Sequence, residues 1–246
     1  MGNPRPATLG PVFDSPHFAP DRAPIAVALP GTGSDADFAR RAFGPACAAR
    51  GIEFIAVEPD PCGVVAGYRA ALDAAAGRGP VLATGISLGA AVALEWAAEH
   101  PEAATGVVAA LPAWTGPDTA ACPAALSAAA TAAQLRADGL DAVVERMRAS
   151  SPRWLADALT QSWHSQWPRL PEALQEAADY KWPDGERLST VAVPVAIVTA
   201  VDDPVHPLSV AEEWAELIPR AELIRITLDE LGANPAILGN AGLAGL

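Results

Sequence analysis

Six short apolar runs alternate with longer segments of helical periodicity along this 246-residue chain. Apart from Arg225 in the last run, the runs are continuously apolar, which is typical of strands that are buried on both faces of a parallel sheet. They lie at residues 25–29, 54–57, 81–83, 107–111, 195–198 and 223–226. Candidate helices lie at 35–50, with Ser34 as the predicted cap, and at 64–76, 88–100, 208–217 and 235–243. Repeated strand–helix units predict an α/β fold: a mostly parallel sheet flanked by helices.

One segment breaks this alternation. Residues 117–188 show no strand pattern, only helical stretches separated by glycine and proline. The segment carries four of the seven tryptophans, namely Trp154, Trp163, Trp167 and Trp182. A helical insertion between strands of a parallel sheet predicts a cap over the carboxyl ends of the strands, where ligands bind in such folds. We therefore expect a core made of 1–116 and 189–246, and a helical cap at 117–188.

The pentapeptide Gly85-Ile86-Ser87-Leu88-Gly89 is the strongest functional signal in the chain. It follows a predicted strand and precedes a predicted helix, which is the context of a nucleophile elbow. Such a turn holds the serine in a strained conformation, and side chains two residues before or after it collide with neighbouring backbone. Helix capping by the serine is the alternative, but it does not explain both glycines. We therefore predict that Ser87 is a nucleophile.

With this elbow, the sequence resembles the α/β-hydrolase superfamily over nearly its whole length. The family has a His-Gly pair after an early strand, and the N–H that follows helps to bind the oxyanion. Pro30 and Gly31 stand at that place here, so proline replaces the family histidine. The resemblance implies that the N–H groups of Thr32 and Leu88 form the oxyanion hole, where preorganised donors stabilise developing charge. A plain glycine-rich turn into a capped helix is the alternative.

The resemblance also implies an acid. In the family the acid follows a late strand, in a pattern such as Asp-x-Val-x-Pro. Residues 203–207 read Asp-Pro-Val-His-Pro and follow the run 195–198. Asp203 is thus implied as the catalytic acid, whereas we interpret Asp202 as a turn residue. Alternatively, both aspartates only shape an Asp-Pro turn, although turn preference alone does not select the end of this strand.

The family histidine has no counterpart at its usual place. It follows the last strand, often as Gly-His, and Ala233 stands there in this chain. A serine hydroxyl is a poor nucleophile without an adjacent base. Three interpretations stay open: a relocated histidine serves as the base, the reaction is slow, or the site binds a ligand without turning it over.

The other histidines offer two candidate bases. His17 lies in the N-terminal tail and His100 ends the helix after the elbow, so both are remote from the predicted site. His206 is the predicted base, because its loop borders the elbow and Asp203 can orient it. Against this, a side chain three residues from its acid can fail to reach both partners, and His206 is then a loop histidine packed beside two prolines. His164, in the cap, is the second candidate and a predicted substrate contact.

Trp114 is the second predicted substrate contact, because it directly follows the run 107–111 and thus lies at the pocket edge of the sheet. The tryptophans of the cap have two interpretations. In the first they line an apolar pocket, and in the second they pack between the cap and the core and hold the two together.

Composition narrows the class of partner. A net charge of −13 argues against nucleic acid and anionic membranes, because both require a basic face. No apolar run reaches the roughly eighteen residues of a membrane span, and the N-terminal tail has no signal core and is expected to be loose. Three separated cysteines without metal-ligand spacing predict reduced thiols and no metal site. We therefore expect a cytoplasmic protein.

These residues predict a serine hydrolase that acts on a small or medium acyl ester or thioester and needs no cofactor. Its partner is a small apolar or acyl substrate. Two alternatives remain at this stage. The first is a catalytically impaired member of the fold that binds an apolar ligand or partner. The second is a non-hydrolytic member, such as a lyase.

Overall fold

The computed structural model describes residues 23–246, so His17 and the rest of the predicted loose tail lie outside the described residues. Six strands form one sheet: β1 (Ile25–Leu29), β2 (Glu53–Ala56), β3 (Val81–Ile86), β4 (Ala104–Ala110), β5 (Val195–Ala200) and β6 (Ala221–Ile226). Their order is β2-β1-β3-β4-β5-β6, and every neighbouring pair is parallel. The predicted parallel α/β sheet is confirmed.

The helices that flank or cover the sheet follow the predicted alternation. They are α1 (Ala36–Ala49), α2 (Val64–Ala76), α3 (Leu88–Glu99), α4 (Pro123–Asp138), α5 (Leu140–Ser150), α6 (Arg153–Gln166), α7 (Leu170–Asp179), α8 (Gly185–Ser189), α9 (Leu208–Leu217), α10 (Leu228–Ala233) and α11 (Ile237–Ala244). Two details differ from the sequence analysis. Asp35, not Ser34, caps α1, because its side chain accepts a hydrogen bond from the Phe38 N–H at 2.9 Å. Helix α10 was not predicted.

Both faces of the sheet are covered, which explains why its four inner strands, β1, β3, β4 and β5, are almost entirely apolar. The edge strands β2 and β6 are less buried and carry charged residues. Val27 of β1 belongs to an apolar cluster that includes residues of α2, α3 and α9. Its neighbour Ala28 belongs to a second cluster, which includes residues of α1 and α11. The sheet therefore holds the carboxyl ends of its strands, and the loops that follow them, in a rigid frame.

Residues 117–188, the predicted cap and called the cap segment below, contain α4 to α7, most of α8 and no strand. Part of the segment has an apolar cluster of its own, built around Leu135, Val143, Trp163 and Leu174. None of the helices between residues 23 and 246 is both long and apolar enough to cross a membrane.

Candidate active site

Ser87 lies at a sharp turn between β3 and α3. Its backbone has φ 52° and ψ −116°, a conformation that residues with a side chain rarely adopt. The flanking glycines make the turn possible. A Cβ on Gly85 would lie 2.2 Å from the carbonyl carbon of Gly89, and one on Gly89 would lie 2.3 Å from the carbonyl oxygen of Leu29. The Ser87 side chain makes no capping hydrogen bond to α3, so helix capping does not explain this serine.

Three side chains form a continuous hydrogen-bonded chain at this turn. His206 Nε2 lies 3.0 Å from Ser87 Oγ, and His206 Nδ1 lies 2.7 Å from Asp203 Oδ2. When Nδ1–H donates to the carboxylate, Nε2 is left to accept the serine proton. The side chains of His206 and Asp203 are only 16% and 8% exposed. The structure therefore brings the predicted nucleophile, base and acid together.

Asp203 and His206 can contact each other although they are only three residues apart, because the loop folds around the Asp203 side chain. Asp203 Oδ1 accepts hydrogen bonds from the N–H groups of Val205, at 2.8 Å, and His206, at 3.3 Å. In such an Asx-type turn the side chain fixes the residues that follow it, and the second oxygen, Oδ2, is left for the imidazole. The imidazole of His206, three residues from Asp203, thus lies within hydrogen-bond distance of both Asp203 and Ser87.

The ionisation of Asp203 suits an orienting role. Burial raises the pKa of its carboxyl group, but the hydrogen bond and charge of His206 and the N–H groups of Val205 and His206 lower it by more. The pKa therefore lies below its ordinary value, and Asp203 is a carboxylate at neutral pH. A carboxylate at this point favours the imidazole tautomer that carries its proton on Nδ1.

The loop after β1, residues 31–35, faces the elbow and is called the oxyanion loop below. A Cβ on Gly31 would lie 3.6 Å from the Cβ of Ser87. Thr32 borders the cavity described below, and Leu88 is the first residue of α3, where an N–H has no intrahelical acceptor. Neither of these two N–H groups donates to an acceptor within residues 23–246.

Pro30, which replaces the family histidine, fixes the start of this loop through its carbonyl group. The Tyr68 hydroxyl of α2 donates to the Pro30 carbonyl oxygen at 3.0 Å. Burial, with the nearby carboxylates of Glu58 and Glu176, raises the pKa of Tyr68. The phenol is therefore a neutral donor at all ordinary pH values, and the bond persists.

A cavity of about 660 Å³ lies beside Ser87 and His206 and extends under the cap segment. Apolar side chains form much of its wall, among them Phe38, Leu111, Met147, Trp154, Trp163 and Leu231. The cap segment adds polar groups, including Ser127, Thr131, Gln134 and Arg146. The guanidinium group of Arg146 is paired with the Asp138 carboxylate at 2.6 Å. The cavity thus offers a mostly apolar space with a few polar contacts beside the serine.

The sequence matches the model of the alpha/beta hydrolase family over residues 7–233. The chain belongs to the alpha/beta hydrolase family. A search of curated proteins gives no match.

Solved structures share the fold of this α/β hydrolase. A protein described as the non-heme bromoperoxidase BpoC of Mycobacterium tuberculosis is 20% identical, with a TM-score of 0.67 over 91% of this chain and 92% of that one. MenH from S. aureus is 18% identical, with a TM-score of 0.64 over 91% of each chain. A thermophilic esterase from Thermogutta terrifontis is 16% identical, with a TM-score of 0.63 over 83% of this chain and 82% of that one. At these identities the likeness concerns the fold alone.

Two predicted substrate contacts of this α/β hydrolase do not border the cavity. Trp114 turns away from it, because its Nε1–H donates to the Asp118 carbonyl at 2.6 Å and its ring packs against the apolar cluster of α2, α3 and α9. His164 lies on the exposed side of α6. His100 is also remote, with Nδ1 2.9 Å from the Trp96 carbonyl oxygen.

Both interpretations of the cap tryptophans apply: Trp154 fits both, because it lines the cavity and also packs against the apolar cluster of α1 and α11, whereas Trp167 is 40% exposed and fits neither. Trp154 and Trp163 line the cavity, whereas Trp182 belongs to the core cluster. Trp154, Leu155, Ala158 and Leu159 reach the cavity from α6, and their helical spacing is a signal that the sequence analysis overlooked. Leu111 was missed too. It lines the cavity with φ 53°, and no sequence pattern marks that conformation in a leucine.

The place of the family histidine is occupied by a short capped helix. The Thr227 hydroxyl accepts a hydrogen bond from the Glu230 N–H at 3.2 Å, and the Glu230 carboxylate accepts one from the Thr227 N–H at 2.8 Å. Helix α10 then directs Leu228 and Leu231 to the cavity, but not Ala233. The segment after the last strand therefore contributes an apolar wall and carries no histidine.

Proposed function

We propose that this α/β hydrolase is a serine hydrolase with Ser87 as nucleophile, His206 as general base and Asp203 as the acid that orients the base. One observation carries the proposal: a single imidazole lies 3.0 Å from Ser87 Oγ through one nitrogen and 2.7 Å from Asp203 through the other. That arrangement matches the roles of a Ser-His-Asp triad, which is recognised by geometry and not by chain order.

In the proposed reaction, Ser87 Oγ attacks the carbonyl carbon of the substrate while His206 Nε2 takes the hydroxyl proton. The tetrahedral intermediate places its oxyanion against the N–H groups of Thr32 and Leu88, each worth a few kcal/mol to such a transition state. The protonated imidazole then gives its proton to the leaving alcohol or thiol, and an acyl-enzyme remains. Water, activated by His206, releases the acid and restores Ser87. These steps use only groups of the chain itself.

The substrate class that we propose is a small or medium acyl ester or thioester. A cavity of about 660 Å³ is in the range of pockets for small molecules. Its apolar wall favours an acyl or aromatic part, and the polar groups of α4 and α5 favour a polar leaving group. We treat 117–188 as the cap that covers this site. A cytoplasmic location is also part of the proposal, supported by three free cysteines.

The decisive test combines turnover with active-site labelling. Purified protein is assayed with p-nitrophenyl esters of acetate to octanoate, and separately with a fluorophosphonate probe that reacts with activated serines. We expect hydrolysis and a single label on Ser87, located by peptide mass spectrometry. Ser87→Ala should lose both. The binding-only alternative, which rested on the position of Ala233, predicts neither turnover nor label. A label on Ser87 without hydrolysis of any of the esters favours the non-hydrolytic alternative, and hydrolysis without a label contradicts Ser87 as the nucleophile.

A further inference from the structure

One face of the cap helix α6 contacts the oxyanion loop. The side-chain amide of Gln166 donates to the Ser34 carbonyl oxygen at 3.0 Å and to the Ser162 hydroxyl oxygen at 2.8 Å. Gln166 is 4% exposed and Ser162 is fully buried. A buried amide with both donors used is fixed in place, because losing either bond leaves a buried polar group without a partner. Gln166 therefore joins the cap to the oxyanion loop at a defined distance.

Two other side chains of α6 also contact the oxyanion loop. Gln161 Nε2 donates to Asp35 Oδ2 at 3.1 Å, while the other Asp35 oxygen caps α1. Trp163 lies directly against Gly33, since a Cβ on Gly33 would lie 2.9 Å from the indole nitrogen. Gly33 has φ 69°, so this position needs glycine both for its conformation and for the space that the indole fills.

These contacts differ in how strongly they restrain the oxyanion loop. The buried indole nitrogen of Trp163 has no hydrogen-bond acceptor within the described residues, so Trp163 restrains the loop by shape alone. Gln161 is exposed, and water can replace its hydrogen bond. Gln166 supplies the buried polar contact between α6 and the loop. Its acceptor, the Ser34 carbonyl oxygen, belongs to a residue only two positions after Thr32.

We propose that Gln166 is a positioning residue that aims the Thr32 N–H at the oxyanion, so that the cap segment sets the oxyanion hole as well as covering the cavity. The inference rests on the proposed function. Its physical basis is that an oxyanion donor is effective only at about 2.7–3.1 Å from the developing charge, and shifts of about 1 Å in catalytic geometry can cost roughly 100-fold in rate. The loop is short: it begins at a fixed point, the bond between Pro30 and Tyr68, and it ends at Asp35, the cap of α1. Between these ends the Ser34 N–H donates to the Gly31 carbonyl oxygen at 3.0 Å, and the buried bond from Gln166 holds the Ser34 carbonyl group against α6.

The test compares Gln166→Met, which keeps the length of the side chain without its donors, with Gln175→Met as the matched control. Gln175 lies on α7 in the same cap segment, and its amide contacts Asp179. Three quantities are measured: kcat and KM for a p-nitrophenyl ester, the inhibition constant of an alkyl trifluoromethyl ketone, and hydrogen exchange of the peptide that covers residues 30–36. The ketone forms a tetrahedral adduct with the serine, whose oxyanion needs the same donors as the transition state.

For Gln166→Met we expect kcat to fall roughly 10- to 100-fold and the affinity for the ketone to fall by a similar factor. KM should stay within about two-fold, since ground-state binding does not use the oxyanion hole. Exchange in residues 30–36 should accelerate, and Gln175→Met should change none of these values. Unchanged kcat in folded Gln166→Met, or a higher KM with unaltered ketone affinity, overturns the proposal.

The exchange measurement keeps the two proposals distinguishable. If the wild-type protein shows no turnover and no label on Ser87, the proposed function fails, but faster exchange in Gln166→Met still shows that this residue holds the loop. If wild-type activity is present and exchange in residues 30–36 is the same in both variants, the inference about Gln166 fails alone.

Discussion

The segments that follow β5 and β6 leave the carboxyl edge of the sheet side by side, but they contribute different groups to the candidate site. The loop after β5 holds His206, which contacts Ser87, and Asp203, which contacts His206. The segment after β6, where the family histidine usually lies, is the capped helix α10. They are joined by a hydrogen bond of 2.8 Å from the Leu228 N–H to Asp202 Oδ1. The comparison teaches that an imidazole can reach the serine of the elbow from the loop after β5 as well as from the place where the family histidine usually lies.

Removing the base from the first loop should have the largest effect. We expect His206→Ala to lower kcat for a p-nitrophenyl ester by roughly 10⁴-fold or more, about as much as Ser87→Ala, because members of one relay fail together. The double variant should be no worse than either single variant. His164→Ala, an exposed histidine of α6, serves as the control and should keep wild-type kcat. Substantial activity in His206→Ala would mean that the base lies elsewhere.

The acid of the same loop should come next. Asp203→Asn keeps an oxygen for the N–H groups of Val205 and His206 but no longer favours the required tautomer, so kcat should fall roughly 10³- to 10⁴-fold. Asp203→Ala also removes those two hydrogen bonds and should lower stability by roughly 1–3 kcal/mol. Both quantities are measured, kcat by ester hydrolysis and stability by urea unfolding. Equal stability of the two variants would contradict the role of Oδ1 in shaping the loop.

The bond between the two loops should have a smaller effect. Asp202→Ala removes the acceptor of the Leu228 N–H, and we expect a loss of about 1 kcal/mol in stability. Because the acid loop is then less well restrained, kcat should fall by roughly three- to ten-fold. Asp202→Asn keeps the acceptor oxygen and is the matched control. If the two variants behave alike in unfolding and turnover, this hydrogen bond does not couple the loops.

Placing a histidine in the second loop should have the least effect. In a His206→Ala background, Ala233→His should restore neither turnover nor fluorophosphonate labelling, because α10 directs Leu228 and Leu231, not Ala233, to the cavity. Gly232 before it is covered by Trp154, and a Cβ there would lie 2.4 Å from the indole. This packing holds α10 in its present orientation. Recovery of labelling would show that the two loops are interchangeable.

Much of the fold around these two segments could be predicted from the sequence. Apolar runs predicted all six strands. The signal is strongest in the four inner strands, because burial on both faces requires apolar residues at successive positions. The two elbow glycines were predictable because steric exclusion dictates them locally. The signature of α10 was also present, since Thr227 and Glu230 have the spacing of a capping box, but a six-residue helix is too short to show periodicity.

The rest depends on packing that no local pattern encodes. The sequence predicted His206 as the base because the other histidines were remote or in the cap. Only the turn around Asp203 shows how the His206 side chain reaches both Asp203 and Ser87. Trp114 lies at the predicted edge, but its indole bonds to Asp118 and so faces away from the cavity. The contact between Gln166 and Ser34 joins residues that are far apart in the chain, and neither belongs to a motif.

The placement of acid and base on one short loop has an evolutionary consequence. In the family pattern the two groups sit behind different strands, so a change in either strand can separate them. Here a single loop after β5 carries both, and its geometry is set largely by its own hydrogen bonds. Under the proposed function, selection on the acid–base pair therefore acts on one stretch of sequence, and β6 with α10 supplies neither of these two groups. Related chains that share this loop should diverge fastest in that C-terminal part.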